Sequence, residues 1–296
     1  MKSIKSFFAF LLCASILCTG CVDQKLHASD GSGTIAATSV SIMQICEKLD
    51  LDLVGVPKSD LVEIPPRYKN ATVIGNPMSP DMEILSQLSP EWVFSPNSLQ
   101  SDLQPKYEAA NLKYGFLNLK TVQGMFQSIE DMGALLGREQ QAEQLVAEFN
   151  DYYDTYQKTH QNRKAPTVLV LMGLPGSYVV ATENSYAGSL VEMAGGKNVY
   201  AGTDDEFLNV NTEEMLKKDP DIILRTAHAM PESVMEMFAE EFKTNDIWKH
   251  FSAVKNNQVY DLPHEYFGRS ANFHYPEALD VLDELLYSDK LILGGN

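Results

Sequence analysis

The sequence predicts an α/β protein made of two Rossmann-like lobes, each with a mainly parallel sheet, joined by one long backbone helix. From Thr34 onwards, short apolar runs alternate with segments of helical periodicity, which is the pattern of repeated strand–helix units. The central stretch 138–163 contains neither glycine nor proline. A segment of the first half also recurs in the second half, which indicates two related lobes.

The N-terminal lobe is predicted to span residues 34–137. Its apolar runs predict strands at 34–38, 53–56, 72–75, 92–95 and 114–117. Apolar residues spaced three and four positions apart predict helices at 40–49, 81–88, 102–111 and 122–136. Thr38 or Ser39 is the expected N-cap of the first helix, because a side-chain oxygen there can accept a backbone N–H.

The stretch 138–164 is predicted to be a single helix between the lobes. Its apolar residues form a helical stripe from Ala142 to Tyr156. At 1.5 Å per residue the helix would be roughly 39 Å long, which is enough to connect two lobes. Pro166 is expected to end it, because proline cannot continue the helical hydrogen bonds.

The C-terminal lobe is predicted to span residues 165–290. Strands are predicted at 167–172, 178–181, 222–224 and 258–262, and helices at 187–193, 212–218, 232–242 and 276–287. Because these strands and helices alternate, we expect a second sheet that is covered by helices on both faces.

The recurring segment begins at Asp81 and again at Asn211, an offset of 130 that holds throughout both copies. Asp81 and Asn211 are suited to cap a helix. Glu83 and Glu213 follow on the first helical turn, where an acidic side chain is favoured by the helix dipole. In each copy a proline comes seven residues after this glutamate, before a strand. The shared spacing favours two related lobes over a chance match.

The first twenty residues have the pattern of a lipoprotein signal peptide. Two lysines precede an apolar run at 7–17, which is too short to cross a bilayer as a helix. Small residues then precede Cys21, which is predicted to carry the lipid, although Cys18 stands where leucine is usual. Residues 21–33 are predicted to be a flexible tether, because the stretch 22–33 is mostly polar. We therefore expect a protein anchored by lipid alone at the extracellular face of the cell membrane.

The charge of the chain argues against a nucleic-acid partner, and its cysteine content excludes an intrachain disulfide. The chain has 23 basic and 40 acidic residues, a net charge of −17. Removal of the signal peptide takes two lysines away, which leaves 21 basic residues and a net charge of −19. Such acidity argues against a nucleic-acid partner. Of four cysteines, Cys46 alone remains in the predicted folded part, which excludes an intrachain disulfide.

Two loops carry side chains that are candidate metal ligands. Met78 lies in a proline-flanked loop just before the helix at 81–88, and His228 follows the strand at 222–224. In α/β folds, loops at strand ends and helix N-termini face the ligand cleft. A methionine and a histidine are a known axial pair for haem iron, but a poor set for zinc or manganese. Met230 is a second thioether near His228.

The predicted architecture resembles the helical-backbone class of substrate-binding proteins of ABC importers. Four segments, 74–80, 171–178, 221–232 and 245–256, make the chain similar to the haem-receptor lipoproteins of iron-regulated surface determinant systems. The resemblance covers nearly the whole mature chain. It implies a protein that binds haem b outside the membrane and delivers it to an ABC permease and its ATPase for iron acquisition. Cell-surface haem donors are further implied partners.

The resemblance also implies roles for individual residues. Met78 and His228 match the axial iron ligands of that family. Glu83 and Glu213 match exposed glutamates that dock onto arginines of the permease, one from each lobe. The family has a tyrosine near Asp60 on the cleft side, and this chain does not.

Haem propionates need local donors on so acidic a protein. The start of the first helix offers free N–H groups and hydroxyls, which bind anions. A nearby loop, an arginine and an aromatic wall supply the other candidates. The predicted contact set is Ser39, Val40, Ser41, Ser59, Asp60, Tyr178 and Arg225.

The sequence is also compatible with other ligands. A ferric siderophore or a corrinoid on the same fold is the alternative, and it would need aromatic and arginine side chains without an axial methionine. A divalent-metal site would need more histidines, and the loop with His264 and His274 is a further candidate rim of the cleft. The nucleophile-elbow, Walker and His-Glu-x-x-His motifs do not occur, so we do not expect an enzyme.

Overall fold

The computed structural model describes residues 34–59 and 62–287. The predicted signal peptide and tether, with Cys21, and the predicted contact Asp60 lie outside these residues. In the described part of the chain, no helix is both long and apolar enough to cross a membrane.

The N-terminal half forms a five-stranded parallel sheet flanked by helices. Its elements in chain order are β1 (Ile35–Ala37), α1 (Val40–Lys48), β2 (Leu53–Val56), β3 (Thr72–Val73), β4 (Gly75–Asn76), β5 (Ser79–Pro80), α2 (Met82–Leu88), β6 (Trp92–Pro96), α3 (Gln100–Ala109), β7 (Tyr114–Leu117) and α4 (Val122–Leu136). The strand order is β3-β2-β1-β6-β7, while β4 and β5 form a separate antiparallel pair. The central strand β1 is wholly buried, as expected where helices cover both faces.

A single helix, α5 (Glu139–His160), connects the two halves. It has 22 residues and is therefore about 33 Å long, shorter than the predicted helix at 138–164. It ends six residues before Pro166, so proline is not what ends it. Residues 161–164 are all polar, so a further turn would bury no apolar side chain against either lobe.

The C-terminal half forms a second, mixed sheet. Its elements are β8 (Thr167–Leu174), β9 (Ser177–Ala181), α6 (Tyr186–Met193), β10 (Lys197–Asn198), β11 (Phe207–Leu208), α7 (Thr212–Lys218), β12 (Ile222–Ala227), α8 (Pro231–Thr244), α9 (Ser252–Lys255), β13 (Val259–Asp261) and α10 (Tyr275–Tyr287). The order is β11-β9-β8-β12-β13, with β10 also on β8. β9 runs antiparallel to β8 and β11, and the other pairings are parallel. The predicted fold class, two mainly parallel α/β lobes, is confirmed.

The recurring segment forms the same unit in both halves. Helices α2 and α7 each have seven residues and are offset by 130. The side chain of Asp81 accepts hydrogen bonds from the first turn of α2, and that of Asn211 accepts one from α7. Both helices end in the left-handed conformation, at Ser89 (φ 44°) and Asp219 (φ 37°). The repeat is therefore a repeat of structure as well as of sequence.

Aromatic side chains fasten α5 to both lobes. Phe149 of α5 stacks on Phe126 of α4, with ring centroids 4.3 Å apart. The same ring meets Tyr275 of α10 edge to face at 5.4 Å. The lobes also contact each other directly, since the backbone N–H of Ala271 donates to the carbonyl of Leu119 at 2.8 Å. These contacts bring the loops of the two sheets to one cleft.

Candidate functional site

A cavity of about 810 Å³ lies between the lobes. The N-terminal lobe lines it with Val40, Ser41, Gln44, Ser59, Val62 and Glu63, and the C-terminal lobe with Pro231, His264, Glu265, Asn272 and His274. Cavities for cofactor-sized ligands are roughly 300–1,000 Å³ and combine apolar walls with a few polar groups. The volume and the lining of this cavity therefore suit a ligand of the size of an organic cofactor.

The start of α1 forms one polar wall of the cavity. Ser39 is the N-cap, and its Oγ accepts the N–H of Ile42 at 3.4 Å. The N–H groups of Val40 and Ser41 have no hydrogen-bond partner among the described residues, and both residues line the cavity. Two donors at a helix N-terminus can therefore receive an anionic group of the ligand.

Met78 lies at the tip of the β4–β5 hairpin. The side-chain oxygen of Asn76 accepts the N–H of Met78 at 3.1 Å and that of Ser79 at 3.0 Å, which holds the turn in shape. The Met78 side chain is 64% exposed. At the base of the hairpin, Gly75 accepts the N–H of Lys58 at 2.7 Å, next to Ser59 of the cavity wall. The base of the hairpin is thus next to the cavity wall and its tip exposes a thioether, although Met78 is not among the lining residues.

His228 follows the end of β12 in the C-terminal lobe and, like Met78, is not among the residues that line the cavity. Its N–H donates to the carbonyl of Gly173 at 2.9 Å, which continues the β8–β12 pairing by one residue. Its Nδ1 is buried and has no hydrogen-bond partner in the described part of the protein. Burial lowers the pKa of His228, and the nearby charges of Arg269 and His264 lower it further. The ring is therefore neutral at neutral pH, the form that binds metals.

Two further histidines of the cavity wall, His264 and His274, lie in the late loop that the sequence predicts as a candidate rim of the cleft. His264 has its Nδ1 3.0 Å from the carbonyl oxygen of Ala227. His274 lies near the carboxylate of Glu277, with 3.6 Å between Nδ1 and Oε1. A histidine in a late loop is a weak signal in a sequence, because the fold alone brings it to the cleft.

Two predicted contact residues lie elsewhere in the C-terminal lobe. The hydroxyl of Tyr178 donates to Glu241 at 3.0 Å. The guanidinium of Arg225 makes two hydrogen bonds to Asp261, at 2.6 and 2.9 Å, and lies 4.8 Å from the centre of the Phe242 ring. Neither side chain is among the cavity-lining residues. Their polar groups are engaged in the lobe itself, so we leave both out of the candidate site.

Glu83 and Glu213 occupy equivalent exposed positions on the two lobes. Each lies on the first turn of its helix, α2 or α7, two residues after the N-cap. The Glu83 carboxylate accepts a hydrogen bond from Gln87 at 3.3 Å, one turn along the same helix. Both glutamates are exposed to solvent. Each lobe therefore presents one carboxylate to solvent at an equivalent position.

Comparison with known proteins gives one family. Residues 35–266 match the model of the periplasmic binding protein family. The chain is 42% identical over 293 residues to the high-affinity heme uptake system protein IsdE of Staphylococcus aureus strain Newman. The alignment covers 98% of this chain and 100% of that protein.

Solved structures agree with this result. The crystal structure of S. aureus IsdE complexed with heme matches with a TM-score of 0.82 and 43% identity, over 86% of this chain and 99% of that one. An ABC transporter substrate-binding protein from Listeria monocytogenes EGD-e also has a TM-score of 0.82, with 46% identity over the same shares. The vitamin B12 binding protein BtuF of Vibrio cholerae, at 15% identity and a TM-score of 0.68, shares the fold.

Proposed function

This chain belongs to the periplasmic binding protein family, and on that premise we propose that it binds haem outside the membrane and delivers it to an ABC import permease for iron acquisition. The observation that carries the proposal is the likeness, at 43% identity over nearly the whole of that chain, to a protein solved with heme. The cavity between the lobes supports it, because its volume suits a ligand of that size. The relatives are transport proteins, and we propose no catalytic role.

The iron is held from both lobes in this proposal. Met78 supplies a thioether from an exposed hairpin tip, and His228 supplies a neutral imidazole from the end of β12. A six-coordinate iron with these ligands keeps no open position for oxygen, which suits transport rather than oxygen chemistry. The free N–H groups of Val40 and Ser41, with the nearby hydroxyl of Ser59, are the proposed donors to the haem propionates.

Delivery needs a membrane anchor and a docking surface. We propose that Cys21 carries the lipid and that Glu83 and Glu213 meet cationic side chains of the permease, one on each of its halves. Both glutamates are exposed at equivalent positions of the two lobes, which supports this arrangement. The ATPase of the importer and upstream haem donors complete the proposed set of partners.

The absorption spectrum of the purified protein with haem tests the proposal. We expect a six-coordinate low-spin spectrum for the wild type, and loss of the thioether-to-iron charge-transfer band in Met78→Ala. His228→Ala should bind haem more weakly. Met230→Ala is the matched control, because Met230 is 59% exposed and close to His228 in the chain; its spectrum should be that of the wild type. A wild-type protein that takes up no haem would contradict the proposal.

A further inference from the structure

Two histidines, His228 and His264, lie at the C-terminal end of β12. His228 is the next residue in the chain, and His264 is held there by a hydrogen bond. His228 follows Ala227, the last residue of that strand. His264 reaches back from the loop after β13, with its Nδ1 3.0 Å from the Ala227 carbonyl oxygen. The peptide between Ala227 and His228 is thus held on both sides, since its N–H donates to Gly173.

The hydrogen bond to Ala227 fixes the tautomer of the His264 ring. A carbonyl oxygen can accept a hydrogen bond but cannot donate one, so Nδ1 of His264 carries the proton. In the neutral ring the lone pair is then on Nε2, for which the described residues supply no partner. Histidines that bind metals usually donate their other ring N–H to a carbonyl or a carboxylate in this way. His264 also lines the cavity, so the lone pair on its Nε2 can bind a metal there.

His228 lacks an orienting hydrogen bond of this kind. Its Nδ1 is buried without a hydrogen-bond partner among the described residues, so no bond selects its tautomer or fixes its ring. The two residues are near neighbours, because His264 contacts the carbonyl oxygen of Ala227, the residue directly before His228. A ligand bound beside His228 therefore lies close to a second imidazole that is better oriented by its surroundings.

We propose that His264 is a second imidazole ligand for the iron of bound haem, which takes the axial position when His228 withdraws. The proposal rests on the proposed function above. In the exchange the iron–nitrogen bond to His228 breaks and one to Nε2 of His264 forms. Both rings react in their neutral forms, His264 keeps its Nδ1 proton, and the oxidation state of the iron does not change. Haem would then leave through two weakly bound states instead of one abrupt loss of its imidazole.

His274 provides a matched control for this proposal. It lines the same cavity, but its Nδ1 faces the Glu277 carboxylate at 3.6 Å, beyond hydrogen-bond distance, and its side chain is 42% exposed. It therefore lacks the carbonyl bond that orients His264. If any nearby imidazole could replace that of His228, substitutions of His264 and of His274 would have the same effect on the iron.

The test compares haem-loaded proteins by absorption and magnetic circular dichroism and by the rate of haem loss to apomyoglobin. The His228→Ala protein should keep a six-coordinate low-spin iron. Adding His264→Ala should give five-coordinate high-spin iron and at least a tenfold faster loss of haem. Adding His274→Ala should leave the His228→Ala iron six-coordinate and low-spin, whatever its effect on the rate of haem loss, because His274 also lines the cavity. Adding His264→Asn, whose amide can still donate to Ala227, should behave like the alanine variant and separates iron binding from loop support.

Two results would overturn the inference. One is a His228→Ala protein that binds no haem or is already five-coordinate. The other is an equal spectrum and rate for His228→Ala with and without His264→Ala. In both cases a low-spin wild type would leave the proposed function standing, whereas a wild type without haem would remove that function. Far-UV circular dichroism of each variant shows whether the fold is kept.

Discussion

The hydroxyl of Tyr178 donates to Oε1 of Glu241 at 3.0 Å, and this carboxylate oxygen holds part of the C-terminal lobe together. The same oxygen accepts from the amide of Asn245 at 2.9 Å and from the indole N–H of Trp248 at 3.0 Å. Burial raises the pKa of Glu241, but the three hydrogen bonds outweigh burial and hold that pKa below its ordinary value. We therefore infer that Tyr178 stabilises the C-terminal lobe.

Replacing Tyr178 with phenylalanine should lower stability and leave haem binding unchanged. We expect the free energy of unfolding to fall by about 1–2 kcal/mol, because a hydrogen bond to a partly buried carboxylate is lost. Urea denaturation measures this change. Tyr114→Phe is the control, since Tyr114 makes a similar bond at 2.8 Å to an exposed carboxylate, that of Glu108. Weaker haem binding by Tyr178→Phe would restore Tyr178 to the haem contacts.

The lowered pKa of Glu241 predicts a loss of stability in acid. The carboxylate stabilises the folded state fully above its unfolded pKa of about 4.3. This contribution is lost as the pH falls through the lower pKa of the folded state. The Glu241→Gln variant cannot titrate, so its stability should fall less than that of the wild type between pH 5 and pH 3. Parallel stability curves for the two proteins would contradict this.

Arg225 should also matter for stability and not for haem. Arg225→Ala removes two hydrogen bonds to Asp261 and the contact with Phe242, so we expect a cost of about 1–3 kcal/mol in the free energy of unfolding. Arg225→Lys keeps the charge but not the paired geometry and should cost nearly as much. Thermal unfolding measures both. Lys249→Ala, which removes an exposed ion pair with Asp246, should have almost no effect.

Docking through the two equivalent glutamates predicts a loss of uptake without a loss of binding. Glu83→Ala and Glu213→Ala should each reduce haem import by cells, and the double variant should reduce it most. Haem affinity should stay unchanged, because both glutamates are exposed on the first turns of α2 and α7 and neither is a proposed haem contact. Glu214→Ala is the matched control, since Glu214 is an exposed neighbour on the same helical turn. Import that survives the double substitution would exclude this docking surface.

Local signals in the sequence were sufficient for most of the fold. The apolar run at β8 and the caps Asp81 and Asn211 act over a few residues, so the strand and the repeated helix starts were predicted correctly. The β4–β5 hairpin was missed because two residues pair with two others through backbone atoms alone. No side-chain pattern records such a pairing.

The candidate site was predicted less completely than the fold. Val40, Ser41 and Ser59 do line the cavity, since a helix start and a loop at a strand end have a known place in α/β folds. The directions of Tyr178 and Arg225 depend on partners far away in the chain, which the sequence does not reveal. His264 lies 36 positions after His228, and the folded chain alone brings it to the same peptide.

Phe149 of α5 packs between Phe126 of α4 and Tyr275 of α10, and this packing bears on transport. Because α5 is packed against both lobes, the spacing between Glu83 and Glu213 should change little when the cleft is filled. An empty molecule would then occupy the permease about as well as a full one. Empty and full molecules would compete for the same transporter, so the import rate would follow the fraction of the surface population that is loaded.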